Sequence, residues 1–167
     1  MKVAVLLCGH MRTYKKTFRL LINNLLGLYD TDLFIITYDR TENIKGSRTF
    51  TSNRFSQKEA IVYGKFLKRI IIIDENKFKK EHNLKVDDKF KFKFKNVISR
   101  LYRMSILIHK GGQMIRQYAN QHKIKYDLII KLRPDIILEK PLNMINVDFT
   151  KINFCLLYTS DAADEED

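Results

Sequence analysis

The residue types best suited to chemistry follow three apolar segments, at the points where those segments end. They are Gly9, His10 and Arg12 after the first segment, Asp39 after the second, and Arg133 and Asp135 after the third. Free backbone amides at a glycine turn before a helix, together with an arginine side chain, are well suited to bind phosphate. A carboxylate suits a divalent cation that bridges a diphosphate. This combination suits a phosphate or a nucleotide as the ligand.

The three apolar segments are predicted to be parallel strands of one sheet. Lys2–Cys8, 31–38 and Leu128–Leu132 are short runs of aliphatic and β-branched residues, as is typical of strands covered on both faces. Thr13 is the predicted N-cap of a helix between the first two strands, with apolar positions at helical spacing up to Gly27. This βαβ unit predicts parallel pairing, and ligands bind such sheets beyond the carboxyl ends of the strands.

Pro134 separates Arg133 from Asp135 at the end of the strand that we predict to be central. Proline lacks an amide proton and favours extended geometry in the preceding residue, so the ladder of hydrogen bonds is interrupted there. Asp135 could bind a divalent cation, with Arg133 orienting the carboxylate or neutralising phosphate. A structural ion pair between the two side chains is the simpler alternative. Likewise, Asp39 could only cap the next segment, and Gly9 to Arg12 could be an ordinary turn.

The rest of the chain is predicted to add helices and one more strand. Residues 41–57 are polar and predict a long loop, followed by a short helix over 57–67, a strand over 69–73 and a second short helix over 75–82. Asn96 is the predicted N-cap of a long helix with an apolar stripe that includes Leu101, Ile108, Gly111 and Ile115. Gly111 either permits close approach to the sheet or breaks the helix in two.

Residues 86–95 alternate lysine with phenylalanine, and this pattern has two interpretations. Alternation with period two predicts an edge strand, or a loop whose phenylalanines pack inward. A basic stretch interleaved with aromatic residues could also bind nucleic acid or an anionic surface. We favour the structural interpretation, so nucleic acid is not expected as a partner.

Length and composition agree with one globular domain, but the end of the chain differs from the rest. Residues 155–167, CLLYTSDAADEED, resemble the translation of a sequencing adapter, so we expect a non-native tail and an incomplete natural domain over residues 1–154. The tail carries five acidic residues and no basic one, so the net charge of +12 becomes +17 without it. The many lysines are typical of an AT-rich genome as much as of an anionic partner.

The sequence excludes several common binding and catalytic motifs and favours a location inside the cell. There is no glycine-rich dinucleotide motif after the first strand, no phosphate-binding lysine loop, no zinc-ligand spacing and no nucleophile elbow. No apolar run is long enough to cross a membrane. Without Cys155, Cys8 is the only cysteine, which favours a reducing compartment. We therefore expect a cytoplasmic protein, with peripheral contact to a membrane surface as a further option.

Two motifs resemble a family of bacterial and viral glycosyltransferases. Cys8 to Tyr14, CGHMRTY, is similar to the segment that follows the first strand in that family, and YDLIIKLRPD at 126–135 is similar to its YDxxIRxRxD motif. The resemblance covers essentially all of residues 1–154. It departs from the family at His10, where glutamine is common, and at Tyr38 and Asp39, where Thr-Trp or Ser-Trp is usual.

This resemblance implies a GT-A-type, Rossmann-like fold and transfer of a sugar from a nucleotide-diphosphate sugar to a glycan or other hydroxyl acceptor, as in polysaccharide biosynthesis. It implies that Gly9, His10 and Arg12 contact the diphosphate, Asp39 the base or ribose, and Asp135 a Mn²⁺ or Mg²⁺ ion or the donor sugar, with Arg133 beside it. The catalytic base is unknown and expected after residue 154. A basic nucleic-acid-binding module and another nucleotide-binding α/β transferase are the alternatives.

Overall fold

The computed structural model describes residues 1–42, 50–82, 92–144 and 147, with the side chains of 42, 50–53 and 92–100 excepted. The expected non-native tail, residues 155–167, lies outside this range. In chain order the elements are β1 (Lys2–Cys8), α1 (Tyr14–Leu21), β2 (Asp30–Tyr38), β3 (Arg40–Glu42), β4 (Phe50–Arg54), β5 (Leu67–Ile73), α2 (Glu75–Glu81), α3 (Phe92–His122) and β6 (Leu128–Leu132).

The main sheet has four strands in the order β5-β2-β1-β6, and every pair in it is parallel. β1 is hydrogen-bonded to β2 on one side and to β6 on the other. With helices packed on it, this sheet makes the chain an α/β protein with a Rossmann-like fold. The carboxyl ends of the four strands share one edge, as the sequence predicted, and the residues that follow β1, β2 and β6 lie along it.

Two apolar layers explain why the central strands are apolar without a break. Val3, Val5 and Leu7 of β1 face the layer that contains α1, whereas Leu6 and Cys8 face the layer that contains α3. The same alternation holds along β2, where residues 31–38 are all buried. Because both faces are covered, neither strand has a polar side to solvent.

The helix after β1 begins where the sequence predicted. Thr13 occupies the predicted N-cap position, and its side chain makes no capping hydrogen bond. α1 continues into a π-helical turn over Ile22–Leu26, and Gly27 ends it. The turn buries Leu25 and Leu26 against the sheet.

β6 lies at an edge of the sheet, not at its centre. Among the described residues it pairs only with β1, and its residues alternate between half-buried and exposed. Ile129 is 57% exposed, and Lys131 on the same face is exposed too. The prediction of a central strand covered on both faces is therefore wrong for the described part of the chain. A short apolar run indicates a strand but does not specify how many neighbours it has.

The polar segment after β2 is not only a loop. β3 and β4 form an antiparallel pair within the predicted loop over 41–57, with Arg40 opposite Arg54. A 3-10 helix over Glu59–Phe66 replaces the predicted helix over 57–67, and Gly64 interrupts it with φ of +53°. Positive φ strains any residue with a side chain, so this position favours glycine.

α3 is one uninterrupted helix, and it begins four residues before the predicted cap Asn96. The strand or loop predicted over 86–95 is wrong from Phe92 onward, and residues 83–91 lie outside the described range. Gly111 is buried against Leu6 of β1, so the option of close approach is the correct one.

The buried face of α3 differs partly from the predicted stripe. Leu101 and Ile108 are exposed, whereas Leu107 and Met114 are buried together with Ile115. The helix is apolar on adjoining stripes, and periodicity alone does not choose between them.

Within residues 1–42, 50–82, 92–144 and 147, no helix is both long and apolar enough to span a bilayer.

Candidate functional site at the carboxyl edge of the sheet

Gly9 joins the end of β1 to the turn that follows β6. Its φ is +127°, a conformation that residues with side chains rarely adopt, and its N–H donates to the carbonyl oxygen of Ile36, 3.2 Å away. A Cβ at this position would lie 3.7 Å from Cδ of Pro134. The glycine turn and the Arg133–Asp135 segment therefore lie close together, although they are far apart in the sequence.

Arg133 and Asp135 form a bidentate ion pair across Pro134. Nε of Arg133 lies 3.0 Å from Oδ1 of Asp135, and Nη2 lies 2.8 Å from Oδ2. The turn is closed by the N–H of Ile136, which donates to the carbonyl oxygen of Arg133 at 3.3 Å. The side chain of Arg133 is 53% exposed and that of Asp135 only 19%. The guanidinium thus remains open to solvent while it orients the carboxylate.

α1 holds the turn over Arg133–Asp135 through a hydrogen bond. The hydroxyl of Thr17 donates to the carbonyl oxygen of Pro134 at 3.0 Å, and both residues are buried. Arg12, which precedes the helix, is exposed, and its N–H donates to the carbonyl oxygen of His10 at 3.0 Å. α1 therefore anchors the turn that follows β6, and it begins directly after the turn that follows β1.

His10 points toward the end of β5 and not toward β6. Its Nε2 lies 3.4 Å from Oε1 of Glu75, the first residue of α2. Its ring packs on Tyr38 at the end of β2, with ring centroids 4.6 Å apart. Its side chain is largely buried, so the imidazole contributes to the wall of the edge.

Asp39, which follows β2, is hydrogen-bonded to the end of β5, to the residue after β4 and to the start of α2. Its N–H donates to the carbonyl oxygen of Ile73 at 2.9 Å, and its own carbonyl oxygen accepts from the N–H of Phe55 at 2.9 Å. Its Oδ1 accepts from the N–H of Glu75 at 3.0 Å. One carboxylate oxygen is therefore bound at the start of α2, whose N-cap is Asp74, and not in the segment that follows Asp39 in the chain, which is the strand β3.

Glu75 is the residue of this edge that sequence reasoning missed. It is only 1% exposed, and its carboxylate pairs with both His10 and Lys79. Burial by itself raises the pKa of this carboxyl group, but the contacts with His10 and Lys79 outweigh burial and lower the pKa to about 2. Glu75 stands in the polar stretch DENKFKKEH, where nothing in the sequence distinguishes a buried acid from an exposed one.

The predicted site residues therefore form two adjacent groups. Gly9, Arg133 and Asp135 meet where β1 and β6 end, whereas His10 and Asp39 meet at Glu75 where β1, β2 and β5 end. Gly9 and His10 are neighbours in the chain, so the end of β1 belongs to both groups.

The described side chains do not by themselves make a metal site. No group of three or more histidine, cysteine, aspartate or glutamate residues with suitable placement occurs in the described part of the chain. Both oxygens of Asp135 are already engaged by Arg133. Mg²⁺ and Mn²⁺ can bind through one carboxylate when substrate phosphates supply further oxygens, and Asp135 would have to leave Arg133 to do so.

Comparison with known proteins adds no assignment. No protein family matches the sequence, and neither a curated protein nor a solved structure shows significant similarity to it. The class of the protein is therefore defined by its own fold, a Rossmann-like α/β protein with a charged carboxyl edge.

Proposed function

We propose that this protein is a glycosyltransferase that binds a nucleotide-diphosphate sugar at the carboxyl edge of its sheet and transfers the sugar to a hydroxyl of a glycan. One observation carries the proposal. The CGHMR and RPD segments, distant in sequence and each similar to a glycosyltransferase motif, lie close together, with Pro134 next to Gly9, at the edge where Rossmann-like sheets bind ligands.

The charges at this edge suit a leaving nucleotide diphosphate. Negative charge grows on the diphosphate oxygens as the bond to the sugar breaks, and fixed cations stabilise it without reorganising. Arg12 and Arg133 are both exposed. Arg12 follows Gly9 by three residues in the chain, and Arg133 precedes Pro134, the residue that lies next to Gly9. The backbone at Gly9, which carries no side chain, allows phosphate oxygens to approach closely.

Roles for the other residues follow from their contacts. His10 would form the side of the diphosphate pocket, and Asp39 would contact the base or ribose at the end of β2. A divalent cation at Asp135 would supply further positive charge at the diphosphate. The cytoplasmic location and the position of the catalytic base after residue 154 stay predictions.

The proposal is tested by titrating UDP and GDP into the protein, with Mn²⁺ and with EDTA. We expect binding of one nucleotide that weakens about tenfold or more in Asp135→Asn and in EDTA. Glu139→Gln is the matched control, since it removes one exposed negative charge four residues away and should leave the dissociation constant unchanged. Equal affinities for wild type and Asp135→Asn would exclude the metal role of Asp135.

The rival binding modes have distinct outcomes in the same assay. Oligonucleotide binding that weakens steeply with salt, without any response to UDP or GDP, would contradict the proposal. Binding of S-adenosylmethionine without metal would instead indicate a transferase of another chemistry.

A further inference from the structure

Glu75 is a buried acid that contacts two of the residues proposed to face the nucleotide. Its Oε1 lies 3.4 Å from Nε2 of His10 and also pairs with Nζ of Lys79. Its N–H donates to Oδ1 of Asp39 at 3.0 Å. The side chain and the backbone of one residue thus link the turns that follow β1 and β2 to the start of α2.

Burial of this carboxylate is costly, so local helix chemistry does not explain it. An acidic residue in the first turn favours the helix dipole, and a pair with a lysine four residues later adds a little more, but both effects operate equally well on the surface. Taking a carboxylate out of water costs several kcal/mol unless partners compensate it. Among the described residues, Oε2 of Glu75 has no hydrogen-bond partner.

The groups around Glu75 come from every element packed at this point. His10 approaches from the turn after β1, Tyr38 from β2, Lys79 from α2 itself, and Arg103 from α3 exerts a charge effect on Tyr38 beside it. Lys79 lies on the solvent side, with a side chain 40% exposed. His10 is the partner on the inner side, toward the end of β1.

We infer that Glu75 is the positioning residue of the nucleotide-binding edge, because its carboxylate fixes the orientation of the His10 imidazole and its backbone holds the carboxylate of Asp39. The role of Glu75 in orienting His10 and Asp39 is inferred from the contacts above. Only the nature of the ligand rests on the proposed function. Loss of the carboxylate should release the His10 ring from its packing against Tyr38, whereas loss of Lys79 should not.

The first test needs no ligand. Nuclear Overhauser effects between the rings of His10 and Tyr38 are measured in wild type, Glu75→Gln and Lys79→Gln. We expect the effects in wild type and Lys79→Gln, and their loss or severalfold reduction in Glu75→Gln. If the ring contacts persist unchanged in Glu75→Gln, the inference is wrong. Should that variant unfold, Glu75→Asp, which keeps the charge, must retain the effects at reduced strength; their complete loss in a folded Glu75→Asp would also overturn the inference.

The second test is a double-mutant cycle on the affinity for the nucleotide that wild type binds, UDP or GDP. We expect about tenfold weaker binding in His10→Ala and in Glu75→Gln, and no further loss in the double variant, because Glu75 acts through His10. Multiplicative losses would show that Glu75 does not act through His10. If wild type binds neither nucleotide, the proposed function fails, and the ring contacts alone decide the role of Glu75.

Discussion

A methyl group on Gly111 would lie only 2.6 Å from Cδ2 of Leu6, so α3 and β1 touch at a point where no side chain fits between them. Leu6 is itself buried in the sheet and cannot swing away without disturbing its neighbours. Gly111→Ala should therefore destabilise the protein by about 1–2 kcal/mol, since overpacking exceeds the gain in helix propensity. Urea unfolding followed by circular dichroism measures this change.

Gly112 is the matched control, one residue further along the same helix. A methyl group there would meet no atom within 4 Å. Gly112→Ala should therefore stabilise the protein, by up to about 1 kcal/mol, through helix propensity alone. Opposite signs for the two variants are expected, and equal effects would contradict the close approach of Gly111 to Leu6.

The thiol of Cys8 should react very slowly in the folded protein. It is fully buried at the end of β1, with its Sγ 3.8 Å from Sδ of Met104, and burial raises the pKa of its thiol to about 11. In a Cys155→Ser variant, where Cys8 is the only thiol, we expect reaction with a disulfide reagent at pH 8 at least about a hundredfold slower than in guanidinium chloride. Immediate reaction of the native protein would show that β1 is not covered.

The sequence predicted the arrangement of the site better than its details. Two mostly apolar segments with a helical stripe between them favour parallel strands, and the carboxyl ends of parallel strands share an edge. Gly9, Asp39 and Asp135 could therefore be placed along that edge without any coordinates. The proximity of Gly9 to Pro134 depends on β1 being the neighbour of β6, which the sequence does not specify.

Glu75 and β6 show why the remaining features could not be predicted. Whether an acid at the start of a helix is buried depends on the imidazole that meets it from β1, a contact across 65 residues of sequence. Whether β6 is central or at an edge depends on which strands pair with it, and its own apolar run, LIIKL, fits either position. Both are properties of tertiary pairing and not of local pattern.

Glu75 should also make the stability of the protein depend on pH in the acidic range. Its pKa is lowered to about 2 in the folded state, against an ordinary value of 4.5, so the folded state favours the ionised carboxylate. This contribution is fully present above pH 4.5 and is lost as the pH falls toward 2. The shift corresponds to roughly 2–4 kcal/mol.

The measurement compares wild type with Glu75→Gln in urea unfolding at pH 7 and pH 3. Other acids, such as Asp30 and Asp74 with their lowered pKa values, affect both proteins alike and cancel in the difference. We expect wild type to be the more stable at pH 7 and the gap to shrink at pH 3. A gap that stays constant between the two pH values would show that the carboxylate is not held ionised in the folded state.

The hydroxyl groups of Thr13 and Thr17 should contribute differently to the stability of the protein. The Thr17 hydroxyl donates to the carbonyl oxygen of Pro134, whereas the buried Thr13 hydroxyl has no hydrogen-bond partner among the described residues. Thr17→Val leaves the Pro134 carbonyl without its donor and should cost about 1–3 kcal/mol. Thr13→Val removes a buried, unpaired polar group at equal volume and should be neutral or slightly stabilising.

These variants also distinguish a role in stability from a role in binding. Because the Thr17 bond fixes the turn that carries Arg133 and Asp135, Thr17→Val should weaken nucleotide binding as well, whereas Thr13→Val should leave it unchanged. Urea unfolding gives the stabilities, and titration with UDP or GDP at a temperature where both variants are fully folded gives the affinities. A destabilised Thr17→Val that binds nucleotide as tightly as wild type would show that the Arg133–Asp135 turn keeps its geometry without α1.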